Sequence, residues 1–169
     1  MNIALIGYRG TGKTTIGRKL ASQLWMDFVD TDALIVQRAG KTIRDIFGEA
    51  GEAGFRALEA QVVSEVAERD NQVIALGGGA VLRAENVAAV RRNARVIWLQ
   101  ADPEVLHQRI QADTTTAASR PNLTAGGGLE EIRTLLAERA ASYRAAADVT
   151  LDVTRLSVDA AVGYITRMV

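Results

Sequence analysis

Short apolar runs alternate with longer amphipathic stretches along almost the whole chain. Five of the runs have the length and composition of buried β-strands, and they span Asn2–Ile6, Asp27–Asp30, Gln72–Leu76, Arg95–Leu99 and Val149–Val153. The stretches between them repeat apolar residues at helical spacing, as at Ile16, Leu20 and Leu24, which predicts amphipathic helices. This alternation predicts an α/β fold in three layers, with helices on both faces of a parallel five-stranded sheet.

The predicted helices follow the strands in order. Their bounds are Lys13–Leu24, Ala33–Ala39, Thr42–Phe47, Glu52–Arg69, Ala84–Arg92, Leu129–Ala146 and Ser157–Met168, with one more helix that begins at Asp102 and Pro103. Residues 111–128 interrupt the pattern, because they are mostly small and polar and show no periodicity. An irregular segment of this length inside a compact domain is usually functional or disordered.

Composition limits the classes of function. The chain has 169 residues, a length typical of one domain with its own core. Twenty basic and 20 acidic residues give a formal net charge of zero. This argues against a protein that binds nucleic acids or membrane surfaces in general. The absence of cysteine excludes disulfides and thiolate metal sites. No signal segment or membrane-spanning apolar run is present, so we expect a cytoplasmic single domain. The two tryptophans, Trp25 and Trp98, are interpreted as packing residues.

The turn between the first strand and the first helix carries the clearest motif. Residues 7–14 read Gly-Tyr-Arg-Gly-Thr-Gly-Lys-Thr, which is the G-x-x-x-x-G-K-T pattern of a phosphate-binding P-loop. Its glycines let backbone N–H groups point at phosphate oxygens, and the helix N-terminus adds positive charge. Lys13 would reach the β- and γ-phosphates, and the Thr14 hydroxyl would bind Mg²⁺. The alternative is an ordinary glycine-rich turn, which the strand before it and the helix after it disfavour.

Two aspartates follow the second strand. In extended backbone, Asp30 and Asp32 would face the same way, into the edge of the sheet where open α/β folds bind ligands. One carboxylate could hold a water on Mg²⁺, and the other could accept a proton from an attacking hydroxyl. The alternative is a solvated strand end, with Asp32 capping the next helix.

Two arginines on predicted helices could bind an anionic substrate. Arg56 lies beside an apolar stripe, where it could bind a small anion bidentately; alternatively it is exposed and paired with Glu52 or Glu59. Arg139, one helical turn before Tyr143, is a second candidate, and its alternative is an ion pair in solvent.

Glycines and a loop arginine complete the candidate site. Gly77, Gly78 and Gly79 close the third strand, where backbone N–H groups could approach a ligand, although a tight turn would use the same residues. Because this strand ends in glycine rather than in an acid, Asp30 is the better metal candidate. Arg120 lies within residues 111–128 and could close over a transferring phosphoryl group; otherwise it is an arbitrary charge in a disordered loop.

The ordered set of motifs resembles the shikimate kinase family, from Asn2 to about Val153. The motifs are the P-loop, the run Phe28-Val29-Asp30-Thr31-Asp32, Ile46-Phe47, Gly51-Glu52, Phe55-Arg56, Gly77-Gly78-Gly79, Arg120-Pro121, and Arg139 with Tyr143. The resemblance implies a P-loop kinase of sheet order 2-3-1-4-5, commonly monomeric, that uses Mg²⁺ and ATP to phosphorylate the 3-hydroxyl of shikimate. It further implies a mobile lid at about residues 111–128 and a substrate-binding helical segment at about residues 32–60.

The resemblance also implies a role for each site residue. ATP phosphates would bind to the backbone of Gly10, Thr11, Gly12, Lys13, Thr14 and Thr15, with Arg109 and Arg155 near the adenine and Arg120 on the lid. Thr14 and Asp30 would hold the metal. Shikimate would bind to Asp32, Arg56, Gly77, Gly78, Gly79, Arg139, Phe47 and Phe55. Lys13, Asp32 and Arg120 would be catalytic, with Asp32 as the base.

Two other functions stay open at this point. A related small-molecule kinase, such as a gluconate kinase, would also combine a P-loop with a hydroxy-acid substrate; the paired arginines and the triple glycine favour shikimate. A kinase-like ATP-binding module without catalysis would retain the fold, but the presence of Lys13, Thr14, Asp30, Asp32 and Arg120 argues against it.

Overall fold

Five parallel strands form the centre of the molecule. The computed structural model describes residues 1–113 and 127–169. The strands are β1 (Asn2–Ile6), β2 (Asp27–Asp30), β3 (Gln72–Ala75), β4 (Ala94–Gln100) and β5 (Val149–Asp152). They pair in the order β2-β3-β1-β4-β5, all parallel, which confirms the predicted fold and sheet order.

Helices cover both faces of the sheet. The described helices are α1 (Lys13–Leu24), α2 (Thr31–Ala39), α3 (Ile43–Ala67), α4 (Ala84–Arg91), α5 (Pro103–Ala112), α6 (Gly128–Ala146) and α7 (Val158–Thr166), and a short 3₁₀ helix spans Ala80–Leu82. Because α5 extends to Ala112 and α6 begins at Gly128, helices take up both ends of the segment predicted to be irregular. Residues 114–126 of that segment lie outside the described residues.

The alternation of side chains along β1 explains why both faces need a cover. Ile3 and Leu5 join a core cluster with residues of α1 and α7, whereas Ala4 and Ile6 join a second cluster with residues of α3 and α4. Successive residues of a strand point to opposite faces, so a strand that is apolar from Ile3 to Ile6 must be buried on both sides, as parallel strands are. In the described part of the chain, no helix is both long and apolar enough to cross a membrane.

The structure corrects three details of the sequence-based prediction. Helix α2 begins at Thr31, so Asp32 lies in its first turn rather than in extended backbone. The two helices predicted on either side of Gly51 form one element, α3, broken at that residue by φ 71° and ψ 179°. Trp98 packs in the core as predicted, but Trp25 is 90% exposed at the end of α1, beyond the last buried residues of that helix, Leu20 and Ala21.

Candidate active site

The candidate residues gather where β1, β2 and β3 end. Asp30 is in register with Ala75, and Ala75 with Leu5, so the P-loop, the start of α2 and the triple glycine all leave the sheet at one edge. Strands of a parallel sheet end together at such an edge, which is where ligands bind in open α/β folds. Two cavities open there, one over the P-loop and one over the triple glycine.

The cavity over the P-loop, here called the P-loop cavity, has the groups expected of a phosphate site. It is lined by Arg9, Gly10, Gly12, Lys13, Thr14, Thr15, Asp30, Asp32, Ala75, Leu76, Arg109, Ile110 and Asp113. Lys13 donates hydrogen bonds to the carbonyl oxygens of Gly7 and Tyr8, at 2.7 and 3.0 Å, and thereby closes the loop upon itself. The Thr11 hydroxyl donates to the Tyr8 carbonyl at 2.9 Å, so both side chains hold the loop in its curled form.

Thr14 and Asp30 meet at the floor of this cavity. The Thr14 hydroxyl donates to Asp30 Oδ2 at 2.7 Å, while Asp30 Oδ1 accepts from the Ala33 backbone N–H at 3.1 Å and caps α2. A hydroxyl and a carboxylate that converge are hard oxygen donors of the kind Mg²⁺ binds, together with phosphate and water. The donor set therefore fits Mg²⁺, although among the described residues no group of three or more acidic, histidine or cysteine side chains could hold a metal without such help.

Asp32 lies at the same edge of the sheet as predicted, but on a different element. It is 7% exposed and lines both cavities, but its direction comes from the first turn of α2 and not from strand alternation. Asp30, rather than Asp32, caps that helix. A Cβ atom at Gly77 would lie 2.6 Å from Asp32 Oδ1 and 2.8 Å from Glu59 Oε2, so a glycine at position 77 makes room for two carboxylates.

The second cavity, here called the arginine cavity, opens over the triple glycine. It combines aromatic walls with charged groups. The lining residues are Tyr8, Arg9, Asp32, Ile43, Phe47, Phe55, Arg56, Glu59, Gly78, Gly79 and Arg139. The rings of Phe47 and Phe55 lie 5.0 Å apart between centroids and form an apolar wall for a ring-shaped ligand.

Arg56 is held by a buried glutamate. Its Nη1 donates to Glu59 Oε1 at 2.8 Å, and its Nη2 lies 3.7 Å from Glu52 Oε1. Both pairings anticipated from the sequence occur, yet Arg56 is only 19% exposed and Glu59 is 1% exposed, so the pair belongs to the cavity rather than to the solvent. Burial raises the pKa of Glu59 above its usual value, and the neighbouring Arg56 guanidinium opposes this shift.

Arg139 is buried, so the alternative that it forms an ion pair in solvent is wrong. It is 6% exposed, and its Nε has no hydrogen-bond partner among the described residues. Its guanidinium lies 5.8 Å above the Tyr8 ring. A buried donor without a partner carries a desolvation cost, which an anionic ligand in the cavity would remove.

Tyr143 fixes the triple glycine. Its hydroxyl donates to the Gly78 carbonyl at 2.5 Å, and burial raises the pKa of Tyr143 to about 12, so the group stays a donor at physiological pH. Gly77 N–H donates to the Thr31 hydroxyl at 3.0 Å. At Gly79 an added Cβ would overlap the Arg56 guanidinium, so a side chain there would displace this arginine from its present position.

Three predicted ATP-binding arginines fall in different places. Arg109 lines the P-loop cavity and donates to the carbonyls of Gly10 and Val153, at 3.3 and 3.2 Å. Arg155 is exposed in the turn after β5 and lines neither cavity. Arg120 lies outside the described residues. The role of each remains a prediction.

Three charged residues near the two cavities have no predicted role in binding or catalysis. Glu59 was considered only as a surface partner of Arg56, although its place on the apolar stripe of α3, one turn before Val62 and Val63, indicates burial. Arg9 stands at a position that the G-x-x-x-x-G-K-T pattern leaves open, and none of the motifs includes Glu131. Glu131 is four residues before Leu135 and eight before Arg139 on the buried face of α6, a spacing that marks it as inward-facing.

The chemistry of the two cavities is complementary. The P-loop cavity offers backbone donors, a lysine and hard oxygen ligands, which suit a nucleoside polyphosphate. The arginine cavity offers three guanidinium groups, two carboxylates and aromatic walls, which suit a cyclic, hydroxylated acid. Because Asp32 lines both, a ligand hydroxyl in one cavity can face a phosphate in the other.

Comparison with known sequences gives one consistent family. The family model for shikimate kinase matches residues 9–169. The shikimate kinase of Symbiobacterium thermophilum is 48% identical over 165 residues, covering 98% of this chain and 94% of that protein. The shikimate kinase of Pelotomaculum thermopropionicum is 44% identical over 161 residues, covering 95% and 91%.

Solved structures agree in fold. The structure of shikimate kinase from Acinetobacter baumannii in complex with shikimate superposes with a TM-score of 0.92 at 35% identity, covering 99% of this chain and 91% of that one. A gluconokinase from Sinorhizobium meliloti superposes with a TM-score of 0.60 at 17% identity, a likeness that extends to the fold alone.

Proposed function

Because the chain belongs to the shikimate kinase family, an enzyme family of ATP-using kinases, we propose that it transfers the γ-phosphoryl group of ATP to the 3-hydroxyl of shikimate. The products are shikimate 3-phosphate and ADP, in the route to the aromatic amino acids. The observation that carries the proposal is that Asp32 lines both the P-loop cavity and the arginine cavity.

Shikimate is proposed to bind in the arginine cavity. Its carboxylate would pair with Arg56 and Arg139, with help from the backbone of Gly78 and Gly79, because guanidinium groups bind carboxylates through paired hydrogen bonds. The carbocycle would lie against Phe47 and Phe55. The buried Arg139 Nε would then acquire an acceptor.

ATP is proposed to bind in the P-loop cavity. Its phosphates would accept from the backbone of residues 10–15 and from Lys13, and Arg109 lies beside the same cavity. Thr14 and Asp30 would hold Mg²⁺, which when bound neutralises charge on the phosphates.

The proposed chemical step needs little from the protein beyond positioning and charge. The 3-hydroxyl oxygen forms a bond to the γ-phosphorus, the bond from that phosphorus to the β,γ-bridging oxygen breaks, and ADP leaves. Asp32 accepts the hydroxyl proton as the new bond forms. Lys13 stabilises the negative charge on the transferring group.

The domain extent, the lid and the oligomeric state are proposed from the sequence and the family resemblance. Residues 1–169 would form one kinase domain, with a substrate-binding helical segment at about residues 32–60 and a mobile lid at about residues 111–128. Arg120 on that lid would contact ATP and exclude water, which otherwise hydrolyses the nucleotide. We propose that the enzyme works as a cytoplasmic monomer.

Release of ADP tests the proposal directly. The purified protein, with ATP and Mg²⁺, is given shikimate, gluconate or no acceptor in parallel. We expect ADP release with shikimate alone, because two arginines and an aromatic wall fit a cyclic carboxylate. Release with gluconate and not with shikimate would overturn the proposed substrate, and ATP binding without release in any tube would support a catalytically silent module.

Substitution of Asp30 tests the metal assignment separately from the fold. Asparagine caps a helix as well as aspartate does but carries no charge, so Asp30→Asn should leave the thermal unfolding midpoint almost unchanged. We expect the Mg²⁺ concentration for half-maximal rate to rise about tenfold, the lower end of the range for residues that orient a metal's ligands.

The matched variant Asp30→Ala separates the two roles of this carboxylate. It should show the same change in Mg²⁺ requirement and also lose about 1 kcal/mol of unfolding free energy with the helix cap. An unchanged Mg²⁺ titration in both variants would contradict the assignment.

A further inference from the structure

Arg9 occupies the boundary between the two cavities. Among the described residues, Arg9 and Asp32 are the pair that line both the P-loop cavity and the arginine cavity. The two side chains carry opposite charges, so the passage between the cavities has a carboxylate and a guanidinium on its walls. In the proposed reaction, the transferring phosphoryl group crosses this passage.

The other described cations of the site line one cavity each. Lys13 and Arg109 line the P-loop cavity and do not line the arginine cavity, whereas Arg56 and Arg139 do the reverse. A phosphoryl group that approaches Asp32 brings two negative charges together, and their repulsion is strong in a partly buried site. Arg9 is the described cation placed to reduce that repulsion while the group moves.

Helix α6 holds Arg9 in this position. Arg9 Nη2 lies 3.5 Å from Glu131 Oε2, and the exposed fractions of the two side chains are 22% and 1%. A guanidinium has five N–H donors in a planar fork, so a contact with Glu131 leaves donors that can face the passage. Glu131 is part of the buried stripe that continues through Leu135 and Arg139 to Tyr143, and it is therefore fixed to the wall of the arginine cavity.

We infer that Arg9 is a catalytic residue, which donates hydrogen bonds to the transferring phosphoryl group as it passes between ATP and shikimate. We further infer that Glu131 is a positioning residue that acts through Arg9. This inference rests on the proposed function. It adds to the proposed catalytic groups the guanidinium of a P-loop residue, which is distinct from the Arg120 proposed on the lid.

Steady-state kinetics of Arg9 variants test the inference. Arg9→Gln should lower kcat about thirtyfold, somewhat less than the loss of a single oxyanion donor elsewhere, because Lys13 shares the charge. The KM values for ATP and shikimate should change by less than about threefold, since a contact made only in the transition state lowers kcat and leaves KM unchanged.

Arg9→Lys keeps the charge without the planar fork and should recover part of the loss in kcat. Arg38→Gln, an exposed arginine paired with Glu65 on the surface, is the matched control and should leave both constants unchanged.

The role of Glu131 is tested by non-additivity. Glu131→Gln should lower kcat about tenfold, with unchanged KM values. The double variant Arg9→Gln/Glu131→Gln should be no slower than Arg9→Gln alone, because a residue that acts only through Arg9 has no effect once Arg9 is gone. Multiplied losses would contradict the positioning role.

The outcomes distinguish this inference from the proposed function. A wild-type enzyme that releases no ADP with shikimate would overturn both. An active wild type with Arg9→Gln and Arg9→Lys at near-normal kcat would overturn the role of Arg9 alone. A raised KM for shikimate at unchanged kcat would also overturn it, because Arg9 would then bind the substrate carboxylate in the ground state and not the transferring group.

Discussion

Asp32→Asn should lower kcat about a thousandfold, within the range that general-base catalysis contributes. Asparagine has the size of aspartate and fits the space that Gly77 leaves, so the cavity walls should stay in place. Its amide cannot accept the proton of the 3-hydroxyl. The KM for ATP should stay within about threefold, because the phosphates bind the P-loop and not Asp32.

A matched carboxylate on the preceding strand gives the control for this variant. Asp27 begins β2, at the end opposite the cavities, and is exposed, so Asp27→Asn makes the same chemical change away from the site. It should retain wild-type kcat. If Asp32→Asn kept kcat within about tenfold of the wild type, Asp32 would not be the base.

Arg56→Ala should weaken shikimate binding and destabilise the protein at the same time. Loss of a bidentate carboxylate contact should raise the KM for shikimate about a hundredfold. The same change leaves Glu59, which is 1% exposed, without its 2.8 Å partner. Removing one partner of a buried ion pair costs about 3 kcal/mol of unfolding free energy, measured by urea denaturation.

A second variant separates the two effects of Arg56. Arg56→Ala/Glu59→Gln removes the buried charge and should recover most of the stability, while the KM for shikimate stays high. Arg38→Ala, which breaks the exposed Arg38–Glu65 pair, should change stability much less, because water replaces the lost partner. Full stability in Arg56→Ala would show that Glu59 is not held by Arg56.

The instability of Arg56→Ala should depend on pH. Burial already raises the pKa of Glu59 above its ordinary value of 4.5, and the opposing effect of Arg56 is lost in the variant. The folded state then binds the Glu59 proton more tightly than the unfolded state does. The unfolding free energy therefore falls as the pH rises above the pKa that Glu59 has in the unfolded state. The stability deficit of the variant against the wild type should be small near pH 4.5 and grow toward neutral pH. An equal deficit at both ends would exclude the Glu59 carboxylate as its cause.

Local sequence signals predicted the fold well and located the P-loop between β1 and α1. Apolar runs and helical spacing gave the strands and their alternation, and sheet order came from the family resemblance. The P-loop was readable because its loop geometry depends on glycines and on adjacent elements only. The position of Asp32 was harder, because the pattern Asp30-Thr31-Asp32 does not tell whether the helix begins at residue 31 or 33.

Long-range contacts limited the prediction of the acceptor side. Glu59 is three residues from Arg56, but its burial depends on the packing of α3 against the sheet. Arg9 and Glu131 are 122 residues apart in sequence, and no local pattern connects a P-loop residue with the first turn of α6. The packing role predicted for Trp25 was wrong as well, because a large apolar side chain alone does not tell that the residue lies at the exposed end of α1.

The break at Gly51 determines the distance between the two aromatic rings of the arginine cavity. In an unbroken α-helix, residues 47 and 55 would be separated by about 12 Å along the axis, and their rings could not lie 5.0 Å apart. The positive φ of 71° at Gly51 interrupts the helix between these two residues, so that both rings meet in one wall of the cavity. The shape of this wall thus depends on a backbone dihedral at a residue outside the cavity lining. Because a side chain is strained at this φ, a substitution at position 51 should disturb the wall without contacting the substrate.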